Sequence, residues 1–152
     1  MTDVAGAGDV SVAVDMVQHS SISLAGARRV LAAALTEAEA LGVAVCIAVS
    51  DRAGHLVAFG RMDAAPLLSV QLAQDKAYTV SAFGVATHDW WDLVREEPPL
   101  LHGIVKTDRL VIFGGGVPVR AGGELVGGVG VSGGSPEQDR RIAAAGAAAL
   151  SG

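Results

Sequence analysis

Apolar residues recur at spacings of three and four through Leu24, Ala27, Leu31, Ala34, Leu35, Ala38 and Leu41, which places them along one side of a helix. Ser23 stands where an N-cap is needed, and Gly42 follows the last apolar position as a C-terminal stop. The next run, Val43-Ala44-Val45-Cys46-Ile47-Ala48-Val49, is apolar without a break, short and rich in β-branched residues. It predicts a central strand covered on both faces. Ser50-Asp51-Arg52-Ala53-Gly54 supplies turn residues, and 55–61 predicts the antiparallel partner, with His55, Val57, Phe59 and Arg61 on one face.

The pattern then returns to helical spacing. Pro66 suits a first turn, and Leu68, Leu72, Ala73, Ala77 and Val80 predict a helix ending near Phe83-Gly84. Residues 85–109 are less regular and predict a short helix followed by a loop. Val117-Pro118-Val119-Arg120 and the run from Glu124 to Val131 flank Gly122-Gly123, the signature of a tight hairpin. Ser135-Pro136-Glu137-Gln138 is a capping box with proline at the first helical position, opening a last, alanine-rich helix. The order is helix, hairpin, helix, loop, hairpin, helix, an α+β arrangement around an antiparallel sheet. Residues 1–21, with the alternating Val10-Ser11-Val12-Ala13-Val14, read as an N-terminal arm, and 22–152 as a single domain.

Composition narrows the chemistry. Of 152 residues, 51% are hydrophobic, 20 are Gly and only 4% are aromatic, so the core is expected to consist of small aliphatic side chains on closely approaching backbones. A formal net charge of −5 without basic clusters argues against nucleic acid as a partner. No stretch reaches the roughly 18 apolar residues of a membrane span, and no secretory leader pattern opens the chain; a cytoplasmic protein is expected. Cys46, the single cysteine, sits inside the apolar run and reads as an inert buried thiol.

Several residues carry possible chemistry. Lys76 lies on the apolar stripe of its helix, four residues from Leu72 and from Val80. Two readings fit: an ion pair with Asp75 or another carboxylate with the stem packed on the sheet, or a site cation able to bind an anion or activate a carbonyl. Arg61, at a strand end, is a second cation suited to a carboxylate. Tyr78, Phe83, Trp90 and Trp91 are crowded into fourteen residues, either as a satellite core or as the wall of a ligand pocket. Gly128-Val129-Gly130-Val131-Ser132-Gly133 imitates a dinucleotide fingerprint but lacks the following strand and acidic residue, so it reads as a close-packed strand and turn. The amides at 135–138 could hold a carboxylate. The histidines lack metal-ligand spacing, so no metal site is expected; His102 is the best placed for acid/base work or axial ligation.

Residues 50–66, Ala73-Gln74-Asp75-Lys76-Ala77-Tyr78-Thr79, 113–120 and 127–139 together resemble the GlcG/HbpS-like family, also called the haem-degrading or PduO C-terminal-like domain, across about 22–150. The resemblance implies a five-stranded antiparallel sheet flanked by helices, homo-oligomers with pockets near subunit contacts, and haem as the most plausible small ligand. Carried onto this sequence, the motif positions are Arg61, Asp75, Lys76, Gly114, Gly115, Gly116 and Gly133. The alternative is a cofactor-free isomerase, dehydratase or lyase acting on a small oxo-acid or activated carbonyl compound, with Lys76 stabilising an enolate, Asp75 or His102 moving the proton and Arg61 holding a carboxylate. Val85-Ala86-Thr87 and the Trp90-Trp91 and Glu96-Glu97-Pro98-Pro99 strings depart from the family pattern, marking 85–109 as the segment where a specialised pocket would differ.

Overall fold

The computed structural model describes residues 15–150; the alternation at Val10–Val14 lies outside them. Helix α1 (Leu24–Leu41) starts where Ser23 accepts a hydrogen bond from the Gly26 amide and stops at Gly42, whose φ of 66° favours glycine. Strand β1 (Cys46–Asp51) pairs antiparallel with β2 (Leu56–Arg61). Helix α2 (Leu68–Phe83) follows, ending on Gly84. A 3-10 turn at Thr87–Asp89 leads into α3 (Trp90–Val94) and α4 (Pro98–Ile104). Strands β3 (Gly116–Ala121) and β4 (Glu124–Ser132) form the second hairpin, and α5 (Pro136–Ala148) closes the fold with both halves of its capping box made.

The sheet order is β2-β1-β4-β3, every neighbouring pair antiparallel. Four strands are therefore present among the described residues, not the five expected. Each hairpin contributes two, and the connection between them is helical. The loop expected after the first short helix is itself α4, because Pro98 and Pro99 occupy its first turn, where a missing N–H costs nothing. Alternation along β1 divides the core. Ile47 and Val49 face α1 and α5 and pack with Val30, Ala34, Ala38, Ile142 and Ala143, whereas Cys46 and Ala48 face α2 and pack with Ala73 and Ala77. Burying each such Val or Ile contributes about 1.5–3 kcal/mol.

Two local details differ from simple periodicity. The register shifts where Val49 and Ser50 meet Ala58 and Leu56, leaving Val57 as an extra residue. Val57 consequently packs on the α1–α5 side and Phe59 on the α2 side, so they do not share a face. The false dinucleotide fingerprint sits in β4 under α2. A Cβ at Gly128 would stand 2.7 Å from the Ala77 carbonyl oxygen, and one at Gly130 would overlap that of Ala73. Glycine here lets the helix backbone lie against the strand.

Candidate functional site

Helix α2 delivers Asp75 and Lys76 in opposite surroundings. Lys76 is fully buried; its Nζ donates to the Val131 carbonyl (2.8 Å) and to Asp139 Oδ2 (3.1 Å), and lies 4.9 Å from the centre of the Phe113 ring. Burial pushes the Lys76 ammonium below its ordinary value, and the Asp139 carboxylate opposes that shift. Asp139, itself buried, accepts the Gly134 amide through Oδ1 (2.9 Å). The arrangement matches the first reading of Lys76, an ion pair with its stem on the sheet, with Asp139 in place of Asp75. The only signal of it in the sequence is that Asp139, Ile142 and Ala143 share the buried stripe of α5, which marks an acid on an apolar face without pairing it to Lys76.

The glycines fit around this pair. Gly115, at φ 128°, passes so close that a Cβ would lie 2.6 Å from Lys76 Nζ. Gly116 donates its amide to Thr87 Oγ1 (2.8 Å) and has no room for a side chain beside that threonine. A Cβ on Gly114 would press on the Pro136 carbonyl, and one on Gly133 on that of Ala44. The amides at 135–138 are partly taken by the chain itself: Ser135 N–H donates to Gln138 Oε1 and Gln138 N–H to Ser135 Oγ.

Asp75 is half-buried and ion-paired with Arg109 (Nε to Oδ1, 3.1 Å), while Gln71 donates to the same oxygen. The Arg109 guanidinium lies 4.0 Å over the Tyr78 ring. Nothing in the sequence pattern marks Arg109. Phe83 meets Trp90 edge to face at 4.8 Å, and Trp90 is buried with its Nε1 unpartnered among the described residues, whereas Trp91 is exposed. The four aromatics thus form no single cluster: Phe83 meets Trp90, Tyr78 stacks on Arg109 and Trp91 is exposed, although Tyr78 and Phe83 line one small cavity. Arg61 is exposed, its Nη2 donating to the Asp63 carbonyl (3.4 Å). His102 is exposed on α4, a helix with no buried residue.

Two open recesses present an imidazole with a guanidinium. One, of about 340 Å³, is lined by His19, Ser21, Arg52 and Ala53. Ser21 Oγ accepts the Arg52 amide (3.0 Å), which fastens the segment before α1 to the β1–β2 turn. The Glu124 carboxyl next to it is held below its ordinary value by hydrogen bonds from Ser20, with His19 and Arg52 adding to the effect. The other, of about 280 Å³, is lined by His88, Gly114, Pro136, Glu137 and Arg140. Burial, aided by the Arg140 charge and opposed by Asp89, lowers the His88 imidazole below its ordinary 6.5. Among the described residues, no group of three His, Cys, Asp or Glu could hold a metal ion, and no helix is long and apolar enough to cross a membrane.

Residues 22–148, and with them the sheet, the glycine turn and the Lys76 pair, match the family described as haem degrading protein HbpS-like. The chain belongs to the HbpS-like family. Among its relatives is an uncharacterized 15.0 kDa protein from the dhaT-dhaS intergenic region of Citrobacter freundii, 39% identical over 83% of this chain and 89% of the relative. The corrinoid adenosyltransferase PduO of Salmonella typhimurium is also 39% identical over 78% of this chain, which spans only 35% of that longer protein. The HbpS-like fold is shared with the crystal structure of the PduOC:heme complex, at a TM-score of 0.77 and 37% identity over 86% of this chain and 95% of the other. A double mutant of Streptomyces reticuli HbpS aligns at a TM-score of 0.81 and 30% identity, over 100% of this chain and 99% of the other.

Proposed function

We propose that this protein binds haem as a homo-oligomer, at the recess lined by His19, Ser21, Arg52 and Ala53. A haem site needs an axial donor for iron, a cation for the propionates and apolar walls for the porphyrin faces. His19 has an exposed imidazole, Arg52 a guanidinium on the same recess, and the volume falls within the usual range for small-molecule sites, about 300–1,000 Å³. The observation that carries the reading is this pairing of imidazole and guanidinium in an HbpS-like chain that shares its fold with a haem complex. The walls are met only in part, since Ala53 is the one apolar side chain there. A second copy laid over the recess would supply the remaining apolar surface, so haem binding and self-association are expected together.

Haem, when bound, supplies an iron centre whose potential and ligand affinity depend on the axial donor. The protein's own part is to orient the ring through Arg52, to offer His19 as donor and, in the assembled form, to exclude water. The second recess suits this role less, because Glu137 would face a propionate there with like charge. The alternative of carbonyl chemistry on Lys76 gains no support, since its Nζ is buried and already engaged by Asp139 and Val131.

Haemin titration followed in the Soret band tests the proposal. A saturable shift at micromolar protein is expected, altered in spectrum by His19→Ala and weakened roughly tenfold by Arg52→Ala, the equivalent of one charge-assisted hydrogen bond. Absence of a saturable shift overturns it. So does an unchanged spectrum in His19→Ala, which would move the axial role to another histidine, His102 included.

A further inference from the structure

The stack of Arg109 on Tyr78 borders a third cavity, distinct from either recess. Tyr78, Ala82 and Phe83 from α2 face Thr107, Arg109 and Leu110 across about 110 Å³ of space. That is well below the range of cofactor pockets, so a porphyrin is excluded and a ligand of a few carbons is not.

Arg109 is built into this wall. It is the only non-glycine among the described residues with positive φ (62°), a conformation that persists when its surroundings hold it. Here the Thr79 hydroxyl lies 2.9 Å from the Arg109 carbonyl and accepts the Val111 amide at 3.0 Å, locking the backbone on both sides of Leu110. Asp75 takes the guanidinium through Nε, and Tyr78 fixes its plane. The two Nη groups have no hydrogen-bond partner among the described residues. A planar cation held by its inner edge and stacked on a ring keeps its outer fork free for another planar anion.

We propose that this cavity is a binding site for a small monocarboxylate, whose carboxylate meets the Arg109 fork while a body of two or three carbons lies against Ala82, Phe83 and Leu110. Charge sets the class further. Asp75 already offsets most of the Arg109 charge, and Asp108 belongs to the same wall, so a dianion meets net repulsion where a singly charged carboxylate does not. Affinity in the millimolar range fits a ligand with so few atoms.

Amide spectra of the 152-residue chain, recorded as propionate is added, test the assignment. Saturable shifts are expected at 78–83 and 107–110, with none from propanol or propylammonium at the same concentrations. Arg109→Lys, which keeps the charge and loses the fork, is expected to weaken propionate roughly tenfold, one charge-assisted bond. Ala82→Leu, at an exposed helical position that makes none of the hydrogen bonds holding the Arg109 backbone, fills the cavity and is expected to abolish the shifts while the protein stays folded. Propionate shifts that fail to saturate, an equal response to propylammonium, or undiminished binding in Ala82→Leu overturns the proposal.

Discussion

Asp75 and Lys76 are consecutive on α2 and each holds an ion pair, yet the two pairs differ in almost every physical respect. Lys76–Asp139 is sealed: both side chains are buried, and Lys76 Nζ is taken by a carboxylate, a carbonyl and a ring face. Asp75–Arg109 is open: the Arg109 side chain is 38% exposed and borders a cavity. In the sealed pair the attraction offsets a large desolvation cost, so its geometry is obligatory and its chemistry is spent. In the open pair little is at stake energetically, and the cation stays available. Adjacent positions on α2 therefore serve different ends, Asp75 holding the partly exposed Arg109 guanidinium and Lys76 fastening α5 and the glycine turn to α2.

The strongest way to break this contrast is Lys76→Met, which strands the Asp139 carboxylate in the core. A loss of about 3–5 kcal/mol in unfolding free energy is expected from denaturant titration, and the double replacement Lys76→Met with Asp139→Leu is expected to recover most of it. If the double variant were as unstable as the single one, the pair would be more than a mutual neutralisation. A smaller effect is expected at the open pair, where Asp75→Asn should cost under about 1 kcal/mol in the same measurement. A cost comparable to that of Lys76→Met would erase the distinction. The finest test uses pH. Because burial lowers Lys76 in the folded state, the unfolded chain binds the extra proton in the window between that depressed value and the ordinary 10.5. Lys76 thus makes stability rise with pH across that window, and the slope should be reduced in Lys76→Met; an unchanged slope would mean that Lys76 titrates alike in both states.

Local rules carried much of the fold. Ser23 and Gly42 delimit α1, Gly122-Gly123 turns the second hairpin with φ of 57° and 81°, and Ser135 with Gln138 starts α5, all legible because each signal lies within four residues of what it controls. The misses share a different cause. Asp139 is 63 residues from Lys76, and Arg109 is 34 from Asp75, distances over which periodicity says nothing about pairing. The β2 bulge depends on how β1 and β2 meet, and α4 on reading a proline pair as a helix start. Lys76 was conspicuous because a cation on an apolar stripe breaks a local rule; whether it was a site or a staple depended on a residue in another helix.

The sheet's two outer strands also differ in what they can accept. β3 lies at one margin and carries Pro118, which has no N–H to offer, while β2 at the other margin runs from Leu56 to Arg61 without a proline. Pro118 removes one ladder donor from the β3 margin, so an added strand would find fewer partners there than along β2. The two edges of the sheet are thus unequally protected against edge-to-edge growth.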